Sequence, residues 1–413
     1  MSLDVAAVAG QIRQMGQDIA STQSDFRDCV RQARRFLRDN SQRHAEIAAN
    51  IRQSKEPRMS RSALPLEPLA AHHTAPPCPE SYVAAAADGS QAEPDRHGHV
   101  AYYLINTGAA LIRYGPDAAA SLRSLPRLYY RRDDMRIVEE RQPEWPASKE
   151  PREAQIDGDI LAMKRSVAEI EDLARLAQNL PGDVPAVLIV DGTLTLFAKT
   201  SGDQAWVGEL LKEQYKAALD KIRDMALPVV GFISRSNASW VMDMLQVGLC
   251  QRKAESCAFC RGRAGEERPA CALVGLRDRF LYDGTIDEPG VLAPLQPGER
   301  SAIFQTSASL FMDYGPNEPA MFYLNTGREI AQVQVPMWVT RQEGLLDRVH
   351  SLVYAQCANG GGYPTVLTRA HEQAVVSVGD RDTLDALVLA QLVKMEIPVP
   401  LSEKARSKQV RGI

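Results

Sequence analysis

The chain has 413 residues, a formal net charge of −4, a hydrophobic fraction of 45% and a charged fraction of 24%. Those values allow two or three domain-sized units of ordinary globular composition and exclude a polyanion-binding surface spread over the whole molecule, so any nucleic-acid site must be a local patch. No apolar run approaches the roughly 18 residues of a membrane span, and MSLDVAAVAGQIRQMGQDIA lacks the basic start and continuous apolar core of a signal peptide, so a cytoplasmic protein without membrane contact is expected.

Residues 1–53 hold helix-period stretches such as FRDCVRQARRFLRD and read as helices that pack on something else or on a second copy. Residues 54–80, covered from 55 onward by the stretch KEPRMSRSALPLEPLAAHHTAPPCPES, are Pro-dense without period and read as a linker. A single αβ domain is expected over 81–413. Its first strand ends at Asp88, and HVAYYLINTG and ALIRYG supply two more short strands with Asn106 to Gly108 as the turn between them. SLRSLPRLYYRRDDMR then gathers Arg123, Arg127, Arg131, Arg132 and Arg136 around Tyr129 and Tyr130, either a solvated surface or a phosphate track.

After a second polar stretch, a helix is predicted from about Asp159 to Gln178, followed by the strand PAVLIVD, the amphipathic helix WVGELLKEQYKAALDKIRDMA and the buried strand LPVVGFIS. Ile160, Met163, Val167, Ile170, Ala174 and Ala177 make the first helix's buried stripe. Glu171 and Asp172 fall opposite with Lys164, Arg165 and Arg175 and read as solvated charges. Glu169 lies on the stripe's flank, aimed at the sheet edge; a boundary glutamate with its head in water has the same pattern.

Four Asp-Gly pairs occur, at Asp88, Asp157, Asp191 and Asp283, and each can be a plain turn. Asp88 and Asp191 differ from the others in following apolar runs, AAAA and VLIV. An acid ending a first strand, a meander, a helix carrying an acid, then a strand ending in an acid is the carboxylate order of the ribonuclease H-like fold, a mixed sheet flanked by helices. Three converging carboxylates stay ionised only if cations neutralise them, which implies Mn²⁺ or Mg²⁺ on oxygen ligands.

Seven cysteines include Cys250, Cys257, Cys260 and Cys271 in a C-x6-C-x2-C-x10-C array. In a reducing compartment that spacing suits a four-thiolate structural site, with Zn²⁺, an iron–sulfur cluster and unliganded thiols as the open readings. Tyr363 precedes Pro364 and is therefore extended, and His371 follows eight residues later; a histidine there is a metal ligand or proton carrier, or a hydrogen-bonded core residue. Arg235 with Ser236 and Arg300 with Ser301 each read as a phosphate contact or a structural pair. No G-x4-G-K-[ST] is present, so the chain itself is not expected to hydrolyse ATP.

ADGS (Ala87–Ser90), RSVAEI (Arg165–Ile170), DGTL (Asp191–Leu194), GERS (Gly298–Ser301) and GYPTVLTRAHEQAVV (Gly362–Val376), in that order, resemble the NurA family of DNA-repair nucleases. The resemblance implies Asp88, Glu169 and Asp191 as metal-binding carboxylates with Tyr363 and His371 beside them. It further implies a Mn²⁺-dependent nuclease acting on DNA ends, homodimeric and partnered by the hexameric ATPase HerA, with the cysteine-bearing loop as an insertion. Two other functions are carried alongside: a catalytically silent adaptor that loads a motor ring, and a ribonuclease H-like nuclease on RNA or hybrid substrates.

Overall fold

A computed structural model describes residues 5–53, 62–93, 100–141, 150–197, 200–248, 276–306 and 313–397. Along the chain come α1 (Val5–Asp39), α2 (His44–Gln53), β1 (Ala63–Pro65), β2 (His72–Thr74), β3 (Tyr82–Ala92), β4 (Tyr103–Tyr114) and β5 (Ala119–Tyr129). The two-stranded pair β6 (Arg136–Val138) and β7 (Glu153–Gln155) precedes α3 (Gly158–Ala177), β8 (Ala186–Asp191), α4 (Ala205–Asp224), β9 (Val229–Ile233) and α5 (Trp240–Gly248). Next are β10 (Glu299–Ser301), β11 (Phe304–Thr306), β12 (Pro319–Asn325) and β13 (Ile330–Pro336). The helices α6 (Met337–Arg341), α7 (Leu345–Asn359), α8 (Thr365–Ala374) and α9 (Val378–Lys394) follow.

The elements form two compact units, Met1–Pro77 with Phe232–Gly362, and Cys78–Gly231 with Tyr363–Ile413. The single domain expected over 81–413 is thus divided between them. In the first unit β1, β11, β12 and β13 form an antiparallel ladder, with β10 pairing both β12 and β2. Val30, Ala33 and Leu37 of α1 and Ile47 and Ile51 of α2 enter its core beside Phe304, Met321 and Tyr323. The expected linker is therefore not free of secondary structure from Ser62 onward, because Ala63 and Leu64 are drawn into that core and β1 and β2 find strand partners.

In the second unit the strand order is β5-β4-β3-β8-β9, with β3, β4 and β5 antiparallel and β8 parallel to β3. An antiparallel meander followed by helix, strand, helix, strand is the ribonuclease H-like arrangement that the sequence order predicts. Val83 to Ala87 on β3 are all buried, and the alanine run leaves room for α3 on one face and α8 on the other. No helix among the described residues is long and apolar enough to cross a membrane.

The meander departs from expectation at Asn106–Gly108, which lies inside β4 rather than in a turn, paired with Ser90, Gly89 and Asp88 of β3. Tertiary packing sets this glycine. A Cβ at Gly108 would stand 2.1 Å from Ala370 O and 2.4 Å from Ala374 N of α8, so only glycine lets that helix cross the strand here.

Candidate active site

Parallel pairing of β3 with β8 sets Ala87 opposite Val190, so Asp88 and Asp191 come next at the same level on adjacent strands, a strand spacing of about 4.8 Å. β8 stops at Asp191, and Gly192 takes φ +95° to turn the chain away. The Asp-Gly pair at Asp191 is accordingly a turn and an acid position at once. The one at Asp88 is neither strand end nor turn, since β3 runs on to Ala92.

Helix α3 brings the third carboxylate. Asp157 caps it, accepting from Ile160 N at 2.8 Å, and Ile160, Met163, Val167 and Ile170 bury its stripe as predicted. Glu169 then reaches over Gly89, its Oε1 only 2.5 Å from where a Cβ would be. That oxygen is buried and has no hydrogen-bond partner; Arg165 Nε, one turn back on the helix, is 3.5 Å away. Burial pushes the Glu169 carboxyl up to about 8, with Asp88 and Asp191 adding to the rise and Arg165 opposing it. Desolvation also raises Asp191, against a hydrogen bond from Tyr363 that favours its charged form.

Helix α8 supplies the fourth group. Asn106 Nδ2 donates to Ala374 O at 2.8 Å and to Gln373 O at 3.1 Å, and Ser90 Oγ donates to Ala374 O at 2.5 Å. These bonds satisfy carbonyls at the helix C-terminus that have no partner within the helix. With that end held, His371 one turn earlier places Nδ1 2.7 Å from Asp88 Oδ2. Asp88, Glu169, Asp191, Tyr363 and His371 thus gather where the end of β8 lies beside the middle of β3. A cleft of about 210 Å³ opens there, lined among others by Arg165, Glu169, Asp191, Thr193, Phe197 and Tyr215.

Three carboxylates, one with a buried unpartnered oxygen, are an oxygen-donor set suited to hard divalent cations rather than to soft metals. As the side chains stand, no group of three or more His, Cys, Asp or Glu among the described residues is closed into a coordination sphere. Glu169 Oε1 is turned onto Gly89 and Arg165.

Other predicted positions lie elsewhere. Arg300 belongs to the first unit, is 2% exposed, and donates to Ser301 O and to Glu67 Oε2 at 3.0 and 3.2 Å, so it is not presented to DNA. Ser301 and Ser236 are buried, Ser236 donating to Gln332 at 2.6 Å. Arg235, in the same unit, has φ 44° and a side chain 81% exposed beside Glu329. Cys250, Cys257, Cys260 and Cys271 fall outside the described residues. Cys29 is half-buried, Cys78 exposed and Cys357 buried.

The face of α3 expected to be solvated is in part a second packing face. Asp172 is buried and bonded by Thr107 and by Arg127 of β5, at 2.6 Å from the latter's Nη2. Lys164 donates to Tyr103 OH at 2.8 Å and lies over the Tyr129 ring. Arg127 is therefore a structural partner rather than part of a phosphate track. Arg165, Asn106, Ser90 and Gly108 also form the site, although the sequence reads Arg165 as a solvated charge and Asn106–Gly108 as a turn; Ser90 and Arg165 stood out only as members of the ADGS and RSVAEI motifs.

Fold and site together define a ribonuclease H-like protein with a carboxylate cluster at its sheet edge. The NurA domain family matches residues 82–376, a span containing every residue of the cluster. The chain belongs to the NurA family, and is by that membership a nuclease. Among solved structures, that of Thermus thermophilus RuvC is similar at 13% identity and a TM-score of 0.15, covering 48% of this chain and 94% of that one. Comparison with curated proteins gives no match.

Proposed function

We propose that this nuclease is a metal-dependent deoxyribonuclease that hydrolyses phosphodiester bonds at DNA ends, acting as a homodimer with a HerA-type hexameric ATPase in end processing and repair. The observation that carries the proposal is the meeting of Asp88, Glu169 and Asp191, with the buried Glu169 Oε1 left without a partner. Asp88 adds to the cost of ionising both Glu169 and Asp191, an arrangement that a silent adaptor has no reason to keep.

Asp88, Glu169 and Asp191 would hold Mn²⁺ or Mg²⁺, and the four clustered cysteines a structural Zn²⁺ or iron–sulfur group. Cations bound there would supply an activated water and charge stabilisation at the leaving oxygen. Tyr363 donates to Asp191 and fixes the orientation of its carboxylate. His371 donates Nδ1–H to Asp88, which leaves Nε2 as the basic nitrogen able to take or return a proton at the phosphodiester. Exposed Arg235 is retained as a DNA contact and buried Arg300 is not.

Purified protein incubated with Mn²⁺ and end-labelled linear DNA tests this, with an RNA strand and a hybrid in parallel. Cleavage of the DNA alone, abolished by chelation, is expected. Equal cleavage of RNA would move the substrate class, and no cleavage of any strand even with the motor added would favour the adaptor.

A further inference from the structure

We infer that Arg165 is a substrate-binding residue of this site, contacting a phosphate of the bound DNA strand, an assignment that rests on the deoxyribonuclease function proposed above. Sequence position gives no hint of it, because Arg165 reads as a surface charge on the far side of α3. Its actual place is the cleft beside the acids, and among the described residues lining that cleft it alone carries a positive charge.

Its hydrogen-bonding capacity is largely unused. A guanidinium has five N–H donors, yet among the described residues Arg165 makes one hydrogen bond, from Nη1 to Gly89 O at 2.9 Å. Nε is buried with no hydrogen-bond partner, and its 3.5 Å approach to Glu169 is an ion pair too long to be a hydrogen bond. The side chain remains 34% exposed, so the remaining donors are not sealed from an incoming ligand.

A purely structural partner for Glu169 would be expected to close a two-point contact with its carboxylate, the geometry in which Arg pairs most strongly. This one instead straddles a backbone carbonyl of β3 and the edge of a carboxylate. The chemistry of the neighbourhood supplies the reason. A phosphodiester approaching Asp88, Glu169 and Asp191 meets three acids, and cations bound by those acids would act at the reacting linkage, not at its neighbours. A planar fork one helical turn from Glu169 offers matching geometry for a phosphate oxygen pair alongside.

The experiment measures equilibrium binding of fluorescent linear DNA in EDTA, where cleavage does not complicate the reading, over a range of salt concentrations. Wild type, Arg165→Gln and Arg165→Lys are compared on natural DNA and on DNA carrying one neutral methylphosphonate at each terminal linkage in turn. Loss of one phosphate contact lowers the slope of log K against log salt by about 0.7 to 0.9. The expected result is that loss in Arg165→Gln, its restoration in Arg165→Lys, and no difference between wild type and Arg165→Gln once the contacted linkage is neutral. Unfolding midpoints check that Arg165→Gln is folded, and rescue by lysine separates lost charge from lost shape. Wild-type binding with an unchanged slope in Arg165→Gln would overturn the inference and leave the nuclease proposal standing. Failure of wild type to bind DNA at all would overturn both.

Discussion

His371 and Asp88 are 283 positions apart in sequence and 2.7 Å apart in space, Nδ1 to Oδ2. The contact joins a helix to the middle of the central strand and fixes which ring nitrogen carries the proton. Replacing His371 with Gln should lower the rate of DNA cleavage by about 10²- to 10⁴-fold, the range of a positioned acid or base. Single-turnover kinetics with Mn²⁺ in excess give the value, and a variant cleaving at the wild-type rate would remove His371 from the chemistry.

Gly108 decides whether that histidine arrives. Gly108→Ala introduces a Cβ about 2 Å from backbone atoms of α8, which cannot yield as a side-chain tip would. The expected cost is about 1–3 kcal/mol in unfolding free energy, read from urea denaturation. Cleavage should fall along with it, since α8 carries His371. An unperturbed urea midpoint would show that α8 does not cross β4 as described.

Gly89→Ala makes a useful contrast. Its Cβ would meet Glu169 Oε1 at 2.5 Å, the end of a flexible side chain, so stability should change little while the carboxylate is displaced. Mn²⁺ titration by calorimetry should show weakened binding in a protein whose unfolding midpoint is close to wild type. Undiminished Mn²⁺ binding would mean that Glu169 is not a ligand.

A pH dependence is expected from the other unit. Asp278 is fully buried, accepting from Val241 N, Met242 N and Tyr323 OH at 3.1, 2.9 and 2.7 Å, and burial lifts its carboxyl to about 7 despite those bonds. With an unfolded value near 3.9, the folded state holds a proton between roughly pH 4 and 7 that the unfolded chain has released. This carboxyl's contribution is therefore most favourable below about pH 4, declines as pH rises to 7 and is level above. Urea midpoints at pH 5 and pH 8 should show wild type losing more stability than Asp278→Asn over that interval. Identical losses would mean that Asp278 is ionised throughout.

The order of strands, helices and acids in the second unit was legible because each rests on local pattern: apolar runs for β3 and β8, a 3.6-residue stripe for α3, an acid at each expected place. Tyr363 and His371 were legible only through family resemblance, for nothing in local sequence ties α8 to β3. What stayed hidden depended on neighbours. Asp172 looked solvated because periodicity defines one buried stripe, whereas α3 also presents a second face to Thr107 and Arg127. Asn106–Gly108 has the composition of a turn, and only the crossing of α8 explains a glycine in mid-strand. Arg300 seemed available because β2, which covers it from one side, lies in a stretch without strand periodicity.

The central claim is that the strand-end carboxylates carry out hydrolysis. Asp191→Asn keeps the size of the side chain and removes its charge, and Asp191 is the last residue of β8, one past Val190, which pairs with Ala87. The most direct measurement is cleavage of end-labelled linear DNA with Mn²⁺ by wild type and Asp191→Asn, both confirmed folded by their unfolding midpoints. Cleavage by wild type that disappears in the variant is the predicted result; equal cleavage by the two proteins would contradict it and return Asp191 to the role of a turn residue.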